Sequence, residues 1–244
     1  MSRLLLLVAG CLAAALALAD EAKIRRVVEA KLGVRVEGVR PAPIPGLFEV
    51  RFRAREGYRV VYSDADAGMV VIGSIYDTKN ERNLTEDRVR KLSAIDFRKL
   101  PLDLAVKIQR GDGRRVLAMF SDPYCPACRQ FEQALRDTDD ITVHVFMFPV
   151  IRPENADHSR AVWCSADRAK AWLELAANNV PTVPTASPSC SNPVDKVLAL
   201  GQSLGVSATP TLFFANGERM SGGLPVERLG PFLDEIAAAQ AKSK

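Results

Sequence analysis

Cys125 and Cys128, in the run Cys125-Pro126-Ala127-Cys128, are the residues of this chain whose type and spacing could do covalent chemistry. Two thiols three positions apart on a helix face one another within disulfide reach. If a strand ends and a helix begins at the motif, unpaired backbone N–H groups and the positive end of the helix dipole stabilise a thiolate on the first cysteine. Such a pair performs thiol–disulfide exchange, with Cys125 as nucleophile and Cys128, less exposed, as the resolving thiol. Pro126 suits the first helical turn, where its missing N–H loses nothing. Ala127 brings no charge and no side-chain hydrogen bond.

Two other uses of the motif have to be weighed. A zinc knuckle needs a second ligand pair, yet Cys164 and Cys190 lie far apart, and His144 and His158 show no ligand spacing. No metal and no cofactor is therefore expected. A static disulfide is disfavoured by the strand-to-helix context. Thr209-Pro210 precedes the apolar run Thr211-Leu-Phe-Phe214. Proline at the start of a strand is ordinarily a turn residue. With Cys-x-x-Cys upstream, we expect a cis Pro210 packed against the pair, leaving backbone groups of Thr209 available to hold a substrate strand.

The elements that must position these residues fall into two groups. Ile24, Val27, Val28 and Leu32 recur at helical spacing before Gly33. Phe48 to Arg53 alternates, with Phe48, Val50 and Phe52 apolar and Glu49, Arg51 and Arg53 charged, as in a half-buried strand. Arg59–Ser63 and Met69–Gly73 read as two more strands. This α+β unit, residues 20–77, has a small core, and pairing with a second copy would bury more surface. Residues 78–100 are highly charged and read as a helical linker, with Thr85 placed to cap a helix carrying Val89, Leu92 and Ile95. An ordinary surface helix of one continuous domain is the alternative.

Residues 101–244 form the larger unit. Val116–Phe120 and Ile141–Phe148 read as buried strands, and between them a helix is entered at Cys125. A long polar and helical excursion runs from Pro153 to Gly205. Thr211–Phe214 then turns at Asn216-Gly217 into a strand near Glu218–Ser221, and a last helix from about Pro225 carries Leu229, Phe232, Leu233 and Ile236.

The 244 residues are 48% hydrophobic and 25% charged, ample for packed domains, so disorder is not a serious reading. A formal charge of +4, with bases and acids interspersed, gives no support to a nucleic-acid partner. Arg3 followed by the uncharged stretch Leu4–Ala19, ending in Ala17-Leu18-Ala19, reads as a cleaved signal peptide over residues 1–19. Val8-Ala9-Gly10-Cys11 looks like a lipoprotein cleavage site, but the apolar run before Cys11 is too short for it. The exported chain would keep Cys125, Cys128, Cys164 and Cys190, and three disulfide connectivities are open to them.

Three stretches resemble the bacterial periplasmic disulfide isomerases of the DsbC/DsbG family: Phe120-Ser-Asp-Pro-Tyr-Cys-Pro-Ala-Cys128, Ala161-Val-Trp-Cys-Ser-Ala-Asp167 with Lys170-Ala-Trp172, and Gly205-Val-Ser-Ala-Thr-Pro-Thr211. Gly73-Ser-Ile-Tyr-Asp77 looks like the end of that family's amino-terminal domain. The resemblance implies a V-shaped homodimer joined through the small domains, with a thioredoxin-fold catalytic domain carrying a helical insertion on each arm and an apolar cleft between the arms. It also implies a structural Cys164–Cys190 disulfide, misfolded exported proteins as substrates, chaperone activity, and a membrane electron donor of the DsbD type. Pro126-Ala127 differs from the Gly-Tyr typical of DsbC and the Pro-Tyr typical of DsbG. Pro126 and Ala127 are thus the positions expected to tune the redox potential, at about 1.4 kcal/mol per 30 mV.

Disulfide isomerisation and reduction is the leading reading. Dithiol oxidation in the manner of DsbA and reduction of sulfenic acids in the manner of DsbG are the enzymatic alternatives. A holdase whose cleft, rather than its thiols, is the working part is the non-enzymatic one.

Overall fold

The structure is a computed structural model that describes residues 20–54, 57–178, 190–223 and 226–241; the expected signal peptide, with Cys11, lies outside them. The chain divides into two compact units that meet between Ser93 and Ala94.

In the first unit a helix over residues 20–32 (α1) precedes β1 (Val36–Pro41), β2 (Leu47–Ala54), β3 (Gly57–Asp64) and β4 (Val70–Val71). The strands form an antiparallel sheet in the order β1-β2-β3-β4. Ile24 and Val28, one helical turn apart on α1, join Val36, Val39, Val50, Phe52 and Val61 in a single core. The short hairpin β5 (Tyr76–Asp77) and β6 (Arg82–Asn83) leads into α2 (Leu84–Leu92).

Two details of this unit depart from the sequence reading. Glu49, placed on the solvent face of β2, is only 3% exposed. Arg40 Nη2 and Arg88 Nε donate to its two carboxylate oxygens at 2.6 and 2.8 Å. Burial pushes this carboxyl up, but the two guanidinium hydrogen bonds outweigh it and hold Glu49 below its ordinary value. Because Arg88 lies on α2, the ion pair ties that helix to the sheet. Thr85 does not cap α2: Asn83 does, accepting Glu86 N–H at 3.1 Å. Thr85 is buried instead, its hydroxyl bonded to Tyr62 Oη and accepting Ile75 N–H at 2.9 Å.

The second unit opens with two single 3-10 turns, Phe97–Lys99 and Leu102–Leu104. Its sheet contains β7 (Val106–Arg110), β8 (Arg115–Ser121), β9 (Ile141–Met147), β10 (Thr211–Phe214) and β11 (Arg219–Ser221), in the order β11-β10-β8-β9-β7. β8 and β9 are parallel and the other pairs antiparallel. The two-residue period of the strands divides the core between two faces. Leu117, Met119, Val143, Val145, Leu212 and Phe214 meet α3 (Pro126–Arg136), α4 (Ala156–Trp163), α5 (Arg168–Asn178) and α7 (Val226–Ala241). Ala118, Phe120, Phe146 and Phe213 meet α6 (Val194–Ser203) and the segment from Phe97 to Ala105.

Helices on both faces of this mixed sheet make a thioredoxin-like fold, with α4 to α6 as the helical insertion. β7 escaped the sequence reading, although Val106-Lys-Ile-Gln-Arg110 alternates and Val106 and Ile108 are buried. The Asn216-Gly217 turn is as expected. Gly217, at φ +86°, passes so close to the main chain that a Cβ would stand 2.0 Å from Ile95 O.

Cys164 and Cys190 are joined in a disulfide, Cα atoms 6.1 Å apart, closing a loop over 26 positions. Restricting the unfolded chain by a loop of that length stabilises the fold by about 3.5 kcal/mol.

Candidate active site

β8 carries the chain straight into the reactive pair. Its last residue is Ser121, and Asp122, Pro123 and Tyr124 make the turn into α3. Cys125 is the N-cap of that helix, with extended φ −82° and ψ 118°, and Pro126 occupies the first turn. Asp122 O accepts Cys125 N–H at 3.1 Å, and Cys125 O accepts Arg129 N–H at 3.1 Å. The cysteine side chain thus sits where the helix presents its unpaired N–H groups.

Both cysteines are free thiols, 5% exposed at Cys125 and 1% at Cys128. Burial pushes the Cys128 thiol up to about 12, partly opposed by the nearby Asp122 N–H and Ser121 hydroxyl and reinforced by the neighbouring Cys125. At neutral pH Cys128 is therefore a protonated, inward thiol.

The Thr209–Pro210 peptide is cis, and Cys125 Sγ donates to Thr209 O at 3.2 Å. Cys125, Cys128, Thr209 and Pro210 accordingly form one cluster at the ends of β8 and β10. Pro126 and Ala127 are exposed at the tip of α3. Cys164, at the C-cap of α4, and Cys190 are half-buried and pack against the core on the α3 face of the sheet.

Three neighbours were missed by sequence reasoning. Asp122 is fully buried; its Oδ1 accepts Tyr124 N–H at 2.8 Å, and its Oδ2 accepts Val150 and Ile151 N–H, both at 2.7 Å. One carboxylate thereby ties the cysteine turn to the loop after β9. Tyr124 Oη bonds His158 Nδ1 on α4, and the Arg152 guanidinium lies 5.5 Å from the Tyr124 ring centroid. Burial raises the Tyr124 phenol, against the field of Arg152. Glu132, on α3 one turn beyond Cys128, accepts Trp172 Nε1–H at 2.8 Å. Burial lifts Glu132 to about 7, opposed by the indole hydrogen bond and by Arg110 and Arg136. Among the described residues no group of acidic, histidine or cysteine side chains is placed to hold a metal ion.

A thioredoxin-like sheet with a free cysteine pair at its central strand-to-helix turn defines the class: a thiol–disulfide oxidoreductase. Residues 102–237 match the family model described as a thioredoxin-like domain, and residues 15–86 match the disulfide bond isomerase protein N-terminal domain. The probable thiol:disulfide interchange protein DsbC of Bordetella pertussis is 42% identical over 197 residues, covering 81% of this chain and 68% of that protein. The DsbC of Escherichia coli K12 is 27% identical over 224 residues, 89% of each chain. A crystal structure of a disulfide interchange protein from Neisseria gonorrhoeae is similar at 36% identity and TM-score 0.53, covering 57% of this chain and 99% of that one. The chain belongs to the DsbC family of thiol:disulfide interchange proteins.

Proposed function

We propose that the protein rearranges incorrect disulfides in exported proteins, with Cys125 as the attacking thiolate and Cys128 as the resolving thiol. Cys125 attacks one sulfur of a substrate disulfide, and the other substrate sulfur leaves as a thiolate. The mixed disulfide is then released along one of two routes: another substrate thiol attacks it and completes an isomerisation, or Cys128 attacks Cys125 and completes a reduction. The observation that carries this reading is the contact from Cys125 Sγ to Thr209 O, 3.2 Å, beside Pro210. It sets the reactive sulfur against a backbone edge, where Thr209 and Pro210 hold an extended substrate segment. Pro126 and Ala127, exposed beside the sulfur, tune the redox potential, and the Cys164–Cys190 disulfide has a structural role.

The working form is a homodimer, joined through the DsbC-type amino-terminal domain of residues 20–77. Support comes from the edge of its sheet, where Met69, Val71 and Ile72 are exposed at 69%, 51% and 77%. Residues 78–100 connect this domain to the catalytic domain of residues 101–244. Residues 1–19 act as a cleaved signal that delivers the chain to the periplasm; among the described residues no helix is long and apolar enough to cross a membrane. A membrane reductant of the DsbD type keeps the cysteine pair reduced, and the dimer also shields unfolded substrates from aggregation.

Refolding of a scrambled multi-disulfide protein tests the assignment. Wild type is expected to recover the native disulfides and Cys125→Ala to lose that activity, whereas full activity in Cys125→Ala would overturn it. The Cys125–Cys128 pair should be found reduced in the intact periplasm; a pair found oxidised there would point to dithiol oxidation instead.

A further inference from the structure

Resolution by Cys128 requires a thiolate in a place that opposes one. The sulfur is buried, and its thiol stands at about 12. The polar groups that face it decide how fast that step runs.

Ser121 is the last residue of β8 and fully buried. Strand alternation puts it on the same sheet face as Leu117 and Met119, the face that α3 covers. Its Oγ has no hydrogen-bond partner in the reduced protein, yet it stands beside Cys128, where it favours the thiolate. A hydroxyl buried without a partner is unfavourable, and such a group calls for a role. The next backbone N–H, that of Asp122, also lies close enough to Cys128 to favour its thiolate. That backbone is rigid: the Asp122 carboxylate is fixed by three N–H groups, Asp122 O holds Cys125 N–H, and Ser121 O accepts Phe148 N–H at 2.8 Å.

Given the exchange roles proposed above for Cys125 and Cys128, on which this rests, we propose that the Ser121 hydroxyl and the Asp122 backbone N–H form a two-donor cradle for the Cys128 thiolate. It acts when Cys128 Sγ attacks Cys125 Sγ in the mixed disulfide. The Cys125–substrate S–S bond breaks as the Cys125–Cys128 bond forms, and the departing substrate thiolate takes up the proton that Cys128 has lost. Donors fixed in advance on a developing anion accelerate the step without reorganisation, as an oxyanion hole does for oxygen. The cradle thereby sets the balance between the two release routes. A strong cradle favours reduction, and a weak one leaves the mixed disulfide for a second substrate thiol.

Stopped-flow reaction of the reduced protein with Ellman's reagent separates the two steps, because each attack releases one coloured thiolate. The first release reports Cys125 and the second Cys128. Ser121→Ala is expected to slow the second release by about tenfold, the effect of one hydrogen bond to a charged group. The pH profile of that release should move up by about one unit, with the first release unchanged. Ser121→Thr and Ser121→Val form a matched pair of equal shape: the threonine variant should restore the second release, and the valine variant should match alanine. A second release in Ser121→Ala or Ser121→Val with wild-type rate and pH profile would overturn the cradle. If wild type gave no first release at Cys125, the exchange reading itself would fall, and the cradle with it.

Discussion

Trp172 Nε1 donates to Glu132 Oε1 at 2.8 Å, joining helix α5 of the insertion to helix α3 of the reactive pair through two buried side chains. A carboxyl buried beside an indole is stable while protonated. The Glu132 carboxyl titrates at about 7 in the folded protein, against 4.5 ordinarily. Between those values the unfolded chain gives up a proton that the folded one keeps, so stability is fully present below about pH 4.5 and falls as pH rises through 7. The loss amounts to about 3 kcal/mol. Glu132→Gln keeps an acceptor for the indole and removes the charge. Denaturant midpoints at pH 4.5 and pH 8 should differ much less in this variant than in wild type. An unchanged pH slope would show that Glu132 is not the group responsible.

Asp122 bonds Tyr124 in its own turn and Val150, 28 positions further along the chain. Truncation to alanine strands the N–H groups of Tyr124, Val150 and Ile151 without an acceptor. Asp122→Ala should cost on the order of 3 kcal/mol, read as a fall of roughly 10 °C in the thermal midpoint. It should also slow disulfide exchange, because the turn bearing Cys125 loses its anchor. A midpoint within a degree or two of wild type would contradict this role.

The edge of the amino-terminal sheet predicts the oligomeric state. Positive charges placed at Val71 and Ile72 would meet their own copies across a two-fold interface, a repulsive and poorly solvated arrangement. Light scattering should give a dimer mass for wild type and a monomer mass for Val71→Arg/Ile72→Arg. Reaction of the double variant with Ellman's reagent should stay normal while refolding of scrambled proteins fails. A double variant that remains dimeric would place the interface elsewhere.

The features legible in the sequence are those fixed by local spacing. The strand-to-helix turn at Cys125 follows from an apolar run meeting Pro126, and the core of β8 to β10 follows from strand alternation. What escaped depends on distant partners. Glu49 reads as a solvent-facing residue until Arg40 and Arg88 converge on it. Thr85 has the composition of a cap but is held inward by Tyr62. Asp122 and Tyr124 look like ordinary turn residues, and their partners Val150 and His158 are brought to them only by the return of β9 and the folding of α4.

In the proposed exchange Cys125 makes the bond to substrate and Cys128 breaks it. With Cys128 held protonated and 1% exposed, its removal should leave the first attack intact and block one route of release. Mass spectrometry of Cys128→Ala incubated with a scrambled disulfide protein tests this most directly. Mixed disulfides that map to Cys125 should accumulate, and they should be absent in Cys125→Ala. Mixed disulfides formed equally well by Cys125→Ala through Cys128, or none in Cys128→Ala, would contradict these roles.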